Sequence, residues 1–261
     1  MKTNRQIDIM GIVNLTDDSF YADSRCADAS EAFRRMEKML SEGVDIIDLG
    51  PCSSRPGSVP VGPEEEWRRL RPVLEPMRRC FPDLRLSIDT SWASVVERAY
   101  DVVGDFIVND ISAGEDDPRM LPLAARLGLE YVAMHKKEFQ GDVTESVKGY
   151  FSGFSSRAAE AGLGDWILDP GFGFAKTVEQ NHQLLKDLGT LKTEYGTRVP
   201  RILVGVSRKS MIYKPLEINP EDALSATQAV HMAALVNGAD ILRVHDVREA
   251  KQTVCLYMML Y

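Results

Sequence analysis

The chain has 261 residues, 44% of them hydrophobic and 27% charged, with 31 Lys and Arg against 39 Asp and Glu for a formal net charge of −8. That is ordinary globular composition, and a chain of this length buries about 75% of its unfolded surface without a disulfide or metal staple. The acidic balance argues against a general nucleic-acid or anionic-membrane binder, and no window approaches the ~18 apolar residues of a membrane span. The polar start, Met1 to Gln6, has no signal-peptide core. Cys26, Cys52, Cys80 and Cys255 show neither CxxC nor zinc spacing and read as free thiols in a reducing compartment, so the expected location is the cytoplasm.

Along the chain, short apolar runs alternate with longer amphipathic ones. Ile7 to Val13 reads as the first strand. A helix over Ala29 to Glu42 follows, with Ala32, Met36, Met39 and Leu40 on one stripe and Gly43 as a stop. Strand Asp45 to Leu49 precedes helix Pro63 to Cys80, whose first turn carries Pro and three glutamates. Strand Leu84 to Ile88 then precedes helix Ser91 to Tyr100, and strand Asp105 to Val108 precedes helix Pro118 to Leu127. Strand Glu130 to Met134 and helix Ser146 to Ala161 come next, followed by strand Trp166 to Leu168 and helix Thr177 to Tyr195. Strand Ile202 to Val206 with helix Pro220 to Val236, and strand Ile241 to Val244 with helix Val247 to Met258, complete the order. Strands rich in Ile, Leu and Val with little alternation suit a parallel sheet covered on both faces. Eight strand–helix repeats with no linker predict one α/β domain over residues 1–261, a (β/α)8 TIM barrel, which takes about 250 residues. An open doubly wound sheet is the alternative, but no GxGxxG stands between the first strand and the first helix.

Polar residues follow each strand. They are Asn14, Thr16, Asp17, Asp18 and Ser19, then residues 50–57, then Asp89-Thr90, Asn109-Asp110 and Met134-His135-Lys136. Residues 169–174, residues 205–210 and Arg243-Val244-His245-Asp246 complete the series. In a barrel these crowd onto the face where active sites form. Singly, Asp89, Thr90 or Asp246 could be helix caps, and Gly171 and Gly173 plain turn residues. Together, Asp89, Asn109 and Asp169 would be costly to bury without a hydrogen-bonding ligand. Asp and Asn suit the edge of a heterocycle bearing amidine-like N–H groups. Arg55, Lys209, Arg243 and His245 suit phosphate oxygens, and Asn14 with nearby acids could hold Mg²⁺, which leans on ligand phosphates. The set reads as a heterocycle pocket beside an anion pocket, arranged for displacing a phosphate-type leaving group.

Met10 to Phe20, Ser53-Ser54-Arg55-Pro56-Gly57, Ile88-Asp89-Thr90, residues 108–112, residues 168–174, Ser207-Arg208-Lys209-Ser210 and residues 243–247 stand in an order and spacing that resembles the dihydropteroate synthases, a pterin-binding enzyme family of folate synthesis. The resemblance implies a transferase that joins a dihydropterin pyrophosphate to p-aminobenzoate. It implies that Asp89, Asn109, Asp169 and Lys209 hydrogen-bond the pterin, with Met134, Phe174 and Arg243 against its ring. It implies that Asn14, Arg55, Arg243 and His245 hold the pyrophosphate, Asn14 also touching Mg²⁺. Ser54, Arg55, Pro56, Phe174, Ser207 and Lys209 would shape the p-aminobenzoate pocket, which sulfonamides would also enter. Asp89, Lys209 and Arg243 would act in catalysis. Leu15 to Arg25 and Cys52 to Ser58 would be loops that close over the substrates. The family reaction ionises the bond to pyrophosphate first, leaving a pterin cation for the arylamine to attack.

The chain departs from the family pattern at Asp17 in place of Pro, Cys52 in place of Glu, Ser54 in place of Thr, and Lys136-Lys137 after His135. Two alternatives follow. A catalytically inactive pterin-binding paralogue is one. A pterin-dependent methyltransferase is the other, although those lack the Ser-Arg-Pro-Gly and Ser-Arg-Lys-Ser pieces. The resemblance also implies a homodimer, for which the helix Ala223 to Val236 and the tail Val254 to Leu260 are candidate surfaces.

Overall fold

The computed structural model describes residues 6–15, 29–51 and 61–261. Strands β1 (Asp8–Asn14), β2 (Ile46–Gly50), β3 (Arg85–Asp89), β4 (Ile107–Asp110), β5 (Tyr131–Met134), β6 (Trp166–Asp169), β7 (Arg201–Val204) and β8 (Ile241–Val244) pair in parallel in chain order. β8 closes on β1, with Met10 beside Arg243, so the sheet is a closed barrel and not the open alternative. Around it run α1 (Ala29–Ser41), α2 (Pro63–Cys80), α3 (Ala93–Val103), α4 (Met120–Leu127), α5 (Val143–Ala161), α6 (Val178–Lys186), α7 (Ser210–Tyr213), α8 (Leu224–Val236) and α9 (Val247–Leu260).

Alternate residues of each strand point into the barrel or out towards the helices. The outward set, including Ile9, Val13, Ile47, Leu49, Leu86, Ile88, Leu168 and Leu242, joins the helix-facing core. The inward set forms layers. At the N-terminal end, Asp8 accepts hydrogen bonds from Arg85 and Arg201, both at 2.9 Å. Burial raises the Asp8 carboxyl pKa, yet the two guanidinium groups outweigh it and leave it lowered. In the middle, Met10, Ile46, Ile107, Val132, Ile167, Leu203 and Ile241 form a separate apolar cluster. Two residues further along five of these strands stand Asp48, Asn109, Met134, Asp169 and Arg243. The apolar layer is thus the floor on which a polar layer rests.

Element boundaries differ from the sequence expectation for identifiable reasons. α5 begins three residues earlier because Asp142 caps it, accepting the Glu145 N–H at 2.9 Å. The helix expected over Thr177 to Tyr195 stops at Lys186 and continues as a 3₁₀ turn over Leu188–Leu191. Gly189 sits inside that turn, and a Cβ there would come within 3.3 Å of the Asn237 carbonyl oxygen. The helix expected from Pro220 begins at Leu224, after a 3₁₀ turn over Pro220–Asp222, and α7 is an added short helix after β7. Cys80 and Cys255 are free and exposed, while Cys26 and Cys52 lie outside the described residues. Among the described residues, no helix is long and apolar enough to cross a membrane.

Ile46 has no exposed surface. Truncating it to Ala removes contacts that the surrounding strands cannot collapse to replace, and should cost about 2–5 kcal/mol. Urea unfolding should show a lower midpoint with an unchanged slope. A midpoint equal to wild type would mean that the middle layer is not close-packed.

Candidate active site

The polar layer is built around Asp48, which is fully buried on β2. Its Oδ1 accepts from the Ser87 hydroxyl at 2.6 Å. Its Oδ2 accepts from Asn109 Nδ2 at 3.1 Å and from Arg243 Nε at 2.7 Å. Arg243 Nη2 in turn donates to Asp89 Oδ2 at 3.0 Å. One guanidinium from β8 therefore ties β2 and β3 together across the barrel mouth. Burial raises the pKa of Asp89, and Arg243 opposes the rise.

The opposite wall comes from β6, β7 and the loop after β6. Burial raises the pKa of Asp169, opposed by Lys209 and by the Gly171 N–H, which donates to Asp169 Oδ1 at 2.8 Å. Lys209 Nζ donates to the Phe172 carbonyl at 2.6 Å and stands 4.9 Å from the centre of the Phe174 ring, a cation–π distance. Burial pushes the pKa of Lys209 down to about 8, with Asp169 pulling the other way. Gly205 lies between Lys209 and Arg243, since a Cβ there would meet both at 3.9 Å. Met134, nearly buried, ends β5 beside Asp169, its partner in the ladder.

Next to this group lies a concentration of positive charge. Burial lowers the pKa of His245 to about 3, and Arg243, Arg35, Arg208 and Lys209 add to the effect. The imidazole is neutral at pH 7 and sits among four cations. Arg35 of α1 donates to the His245 carbonyl at 3.0 Å, and the His245 N–H donates to the Ser207 hydroxyl at 3.3 Å. Arg208 has a left-handed backbone, φ 54°, and grips Asp246 through Nε at 2.8 Å and Nη2 at 3.0 Å. That bidentate pair locks the Ser207–Lys209 turn onto the end of β8. Asn14 ends β1, opposite Gly50.

The structure brings Asp89, Asn109, Met134, Asp169, Phe174, Lys209 and Arg243 together as one group, with Ser207 and His245 beside it. Ser54, Arg55, Pro56, Asp17 and Cys52 lie outside the described residues. Of the helix-cap alternatives, Asp89 and Thr90 lie ahead of the α3 N-cap residue, Trp92, whereas Asp246 does occupy the N-cap position of α9 but makes no side-chain cap bond. Asp246 instead pairs with Arg208. Asp110 holds its own loop through Ser112 N, Gly114 N, the Ser91 hydroxyl and the Tyr131 hydroxyl. Lys136 and Lys137 are tied back to Asp116 and Glu115.

Asp48, Arg35 and Glu66 are among the residues that carry no expected role. Asp48 was legible as a carboxylate inside the otherwise apolar run Ile46 to Leu49. Arg35 lies in the polar part of α1 and gave no signal. Glu66, in the acidic first turn of α2, accepts the Thr90 hydroxyl at 2.6 Å and is buried. Among the described residues no cluster of three His, Cys, Asp or Glu could hold a metal. The Asn14 amide oxygen is a hard donor of the kind that suits Mg²⁺ held mainly by water and ligand phosphates.

Two outcomes follow from this geometry. Asp48→Ala strands Arg243 with half its partners in a buried site and should cost about 3–5 kcal/mol in urea unfolding; a loss under about 1 kcal/mol would mean that the pair is solvated. Burial, opposed by the Thr90 hydrogen bond, raises the Glu66 pKa from 4.5 to about 7. Its contribution to stability is therefore present below pH 4.5 and lost as pH rises through about 7. Glu66→Gln lacks this loss, so its stability relative to wild type should climb across that window. A constant difference would mean that Glu66 is ionised in the folded protein.

Residues 10–245 match the model of the family described as "Pterin binding enzyme". The chain is 37% identical over 257 residues to the dihydropteroate synthase of Escherichia coli K12, covering 94% of this chain and 89% of that protein. It is 35% identical over 254 residues to the folic acid synthesis protein fol1 of Pneumocystis carinii, of whose length it spans only 34%. A Yersinia pestis dihydropteroate synthase solved with a sulfonamide drug superposes with TM-score 0.90 at 34% identity, covering 97% of this chain and 94% of that one. The Thermus thermophilus enzyme solved with 4-aminobenzoate gives TM-score 0.83 at 34% identity over 98% of this chain and 95% of that one. The closed barrel, the buried Asp48–Arg243–Asp89 group and these similarities agree: the chain belongs to the pterin-binding enzymes, among the dihydropteroate synthases, which are transferases.

Proposed function

We propose that the chain condenses 6-hydroxymethyl-7,8-dihydropterin pyrophosphate with p-aminobenzoate and releases pyrophosphate, through ionisation of the C–O bond before the amine attacks. The observation that carries this reading is the adjacency of two opposite environments. Carboxylates at Asp89 and Asp169, with the Asn109 amide, line the two walls of the pocket, and beside them His245 sits among four cations, Arg243 and Lys209 being common to both. An ionising pterin develops positive charge while its leaving group gathers negative charge. Groups already fixed in a partly dry site stabilise both without reorganising.

Asp89, Asn109 and Asp169 would take the N–H-bearing edge of the pterin. Arg243, held in place by Asp48, would lie against its ring and reach the departing phosphates. His245, neutral at pH 7, would donate an N–H to a phosphate oxygen. Lys209, Phe174 and Ser207, together with Ser54, Arg55 and Pro56, would frame the arylamine. Mg²⁺ held by Asn14 and the diphosphate would supply charge neutralisation of the leaving group. The solved relatives with 4-aminobenzoate and with a sulfonamide drug support the arylamine pocket and the expectation that sulfonamides compete for it. A homodimer is part of the same reading, formed through α8 and α9, where Val236, Leu256, Met259 and Leu260 are exposed.

Purified protein with Mg²⁺ and both substrates should form dihydropteroate, with competitive inhibition by a sulfonamide. Asp89→Ala should lose a factor of about 10² or more in kcat/KM. Pyrophosphate released without arylamine would support ionisation first, whereas strict dependence on arylamine would count against it. Pterin binding with no turnover would overturn the catalytic reading in favour of an inactive binding paralogue.

A further inference from the structure

Lys176 closes the loop after β6, and among the described residues the hydrogen-bond partners of its side-chain nitrogen are neutral. Nζ lies 3.0 Å from the Gly171 carbonyl oxygen, 3.1 Å from that of Phe174, 3.3 Å from that of His135 and 3.0 Å from His135 Nδ1. Burial lowers its pKa to about 7, with Asp169 opposing. Burial likewise lowers His135 to about 4, so its ring is neutral and Nδ1 accepts from the lysine.

Each acceptor adjoins a residue of the site. His135 follows Met134 at the end of β5. Gly171 gives its N–H to the Asp169 carboxylate at 2.8 Å. Phe174 carries the ring beneath Lys209. The loop is pressed hard onto β5, because a Cβ on Gly171 would come within 1.9 Å of the His135 carbonyl oxygen. Gly171, Gly173 and Ala175 all have left-handed backbones, at φ 70°, 82° and 47°. Such a path needs an outside tie to persist. Asn181 supplies part of it, accepting the Gly173 N–H at 2.8 Å, and the Thr177 capping box fixes the far end.

We propose that Lys176 is a positioning residue, whose side-chain nitrogen clips the β6–α6 loop to the end of β5 and thereby sets the Phe174 ring and the Asp169 carboxylate for the two substrates. The proposal rests on the function set out above. Lys176→Met keeps the chain length and removes the donors. KM for each substrate should rise about tenfold while kcat stays within about threefold, the loss expected when a hydrogen bond that holds a binding geometry is removed. A fall in kcat with both KM values unchanged would mark a lysine that only stabilises the fold and would overturn the proposal. If the Met variant does not fold, Lys176→Gln, which retains two N–H donors at shorter reach, reads the same KM shift. Amide hydrogen exchange over residues 170–177 tests the clip independently of turnover. Faster exchange at Gly171, Gly173 and Phe174 in a folded variant is the expected result, and unchanged exchange overturns the clip. An inactive wild type with faster exchange in the variant would overturn the function and leave the clip standing.

Discussion

Arg243 enters the barrel mouth from β8 with its Nε on Asp48 and its Nη2 on Asp89. Leaving any of these three without the others would place an uncompensated charge in a buried layer, at a cost of several kcal/mol. Asp48 also takes the Ser87 hydroxyl and the Asn109 amide, so four strands are joined at one carboxylate. The directions of Asp89, Asn109 and Arg243 are thus set before any ligand arrives. A site that relies on fixed dipoles and charges requires this, since reorganisation during the reaction would cancel part of the stabilisation.

The same residue links the two halves of the chemistry. Through Asp48 and Asp89, Arg243 belongs to the hydrogen-bonding wall, and it also contributes to the positive surroundings of His245. Arg208 adds to those surroundings, but its own charge is committed to Asp246 and to the carbonyls of Pro220 and Glu221. Its work is mechanical. It holds the strained Ser207–Lys209 turn beside β8, and so places Lys209 between Asp169 and the Phe174 ring. The loop after β6 repeats the pattern on the other wall, with Lys176 taking the carbonyls of Gly171 and Phe174 and Lys209 that of Phe172.

Many of the residues that touch this site were legible from their place just past a strand. Asp89, Asn109, Asp169, Lys209, Arg243 and His245 stand where a polar residue has no reason to be buried unless something is bound. The supporting residues were not legible in the same way. Asp48 looks like part of a strand, Arg35 and Glu66 like parts of charged helix surfaces, and Lys176 like a loop lysine. Each has a partner distant in sequence, 24 residues away for the Glu66–Thr90 pair, 41 for the His135–Lys176 contact and 210 for the Arg35–His245 contact. Spacing along one helix or strand carries no information about such pairs. Asp246 stands at the N-cap position of α9, as its place after β8 suggests, but its carboxylate takes the buried Arg208 and not a backbone N–H.

By itself, the sequence determined eight strand–helix repeats, a parallel sheet and a ring of polar strand ends, because hydrophobic periodicity and turn chemistry act over a few neighbouring residues. The matched motif order was also enough to mark the pterin-binding family. The tertiary structure bore out the closed barrel, and it alone decided that Asp48 lies at the centre of the polar layer and that two lysines shape the loop after β6. These depend on which side chains meet across the barrel, and the cost of burying an unpaired charge selects one arrangement of them.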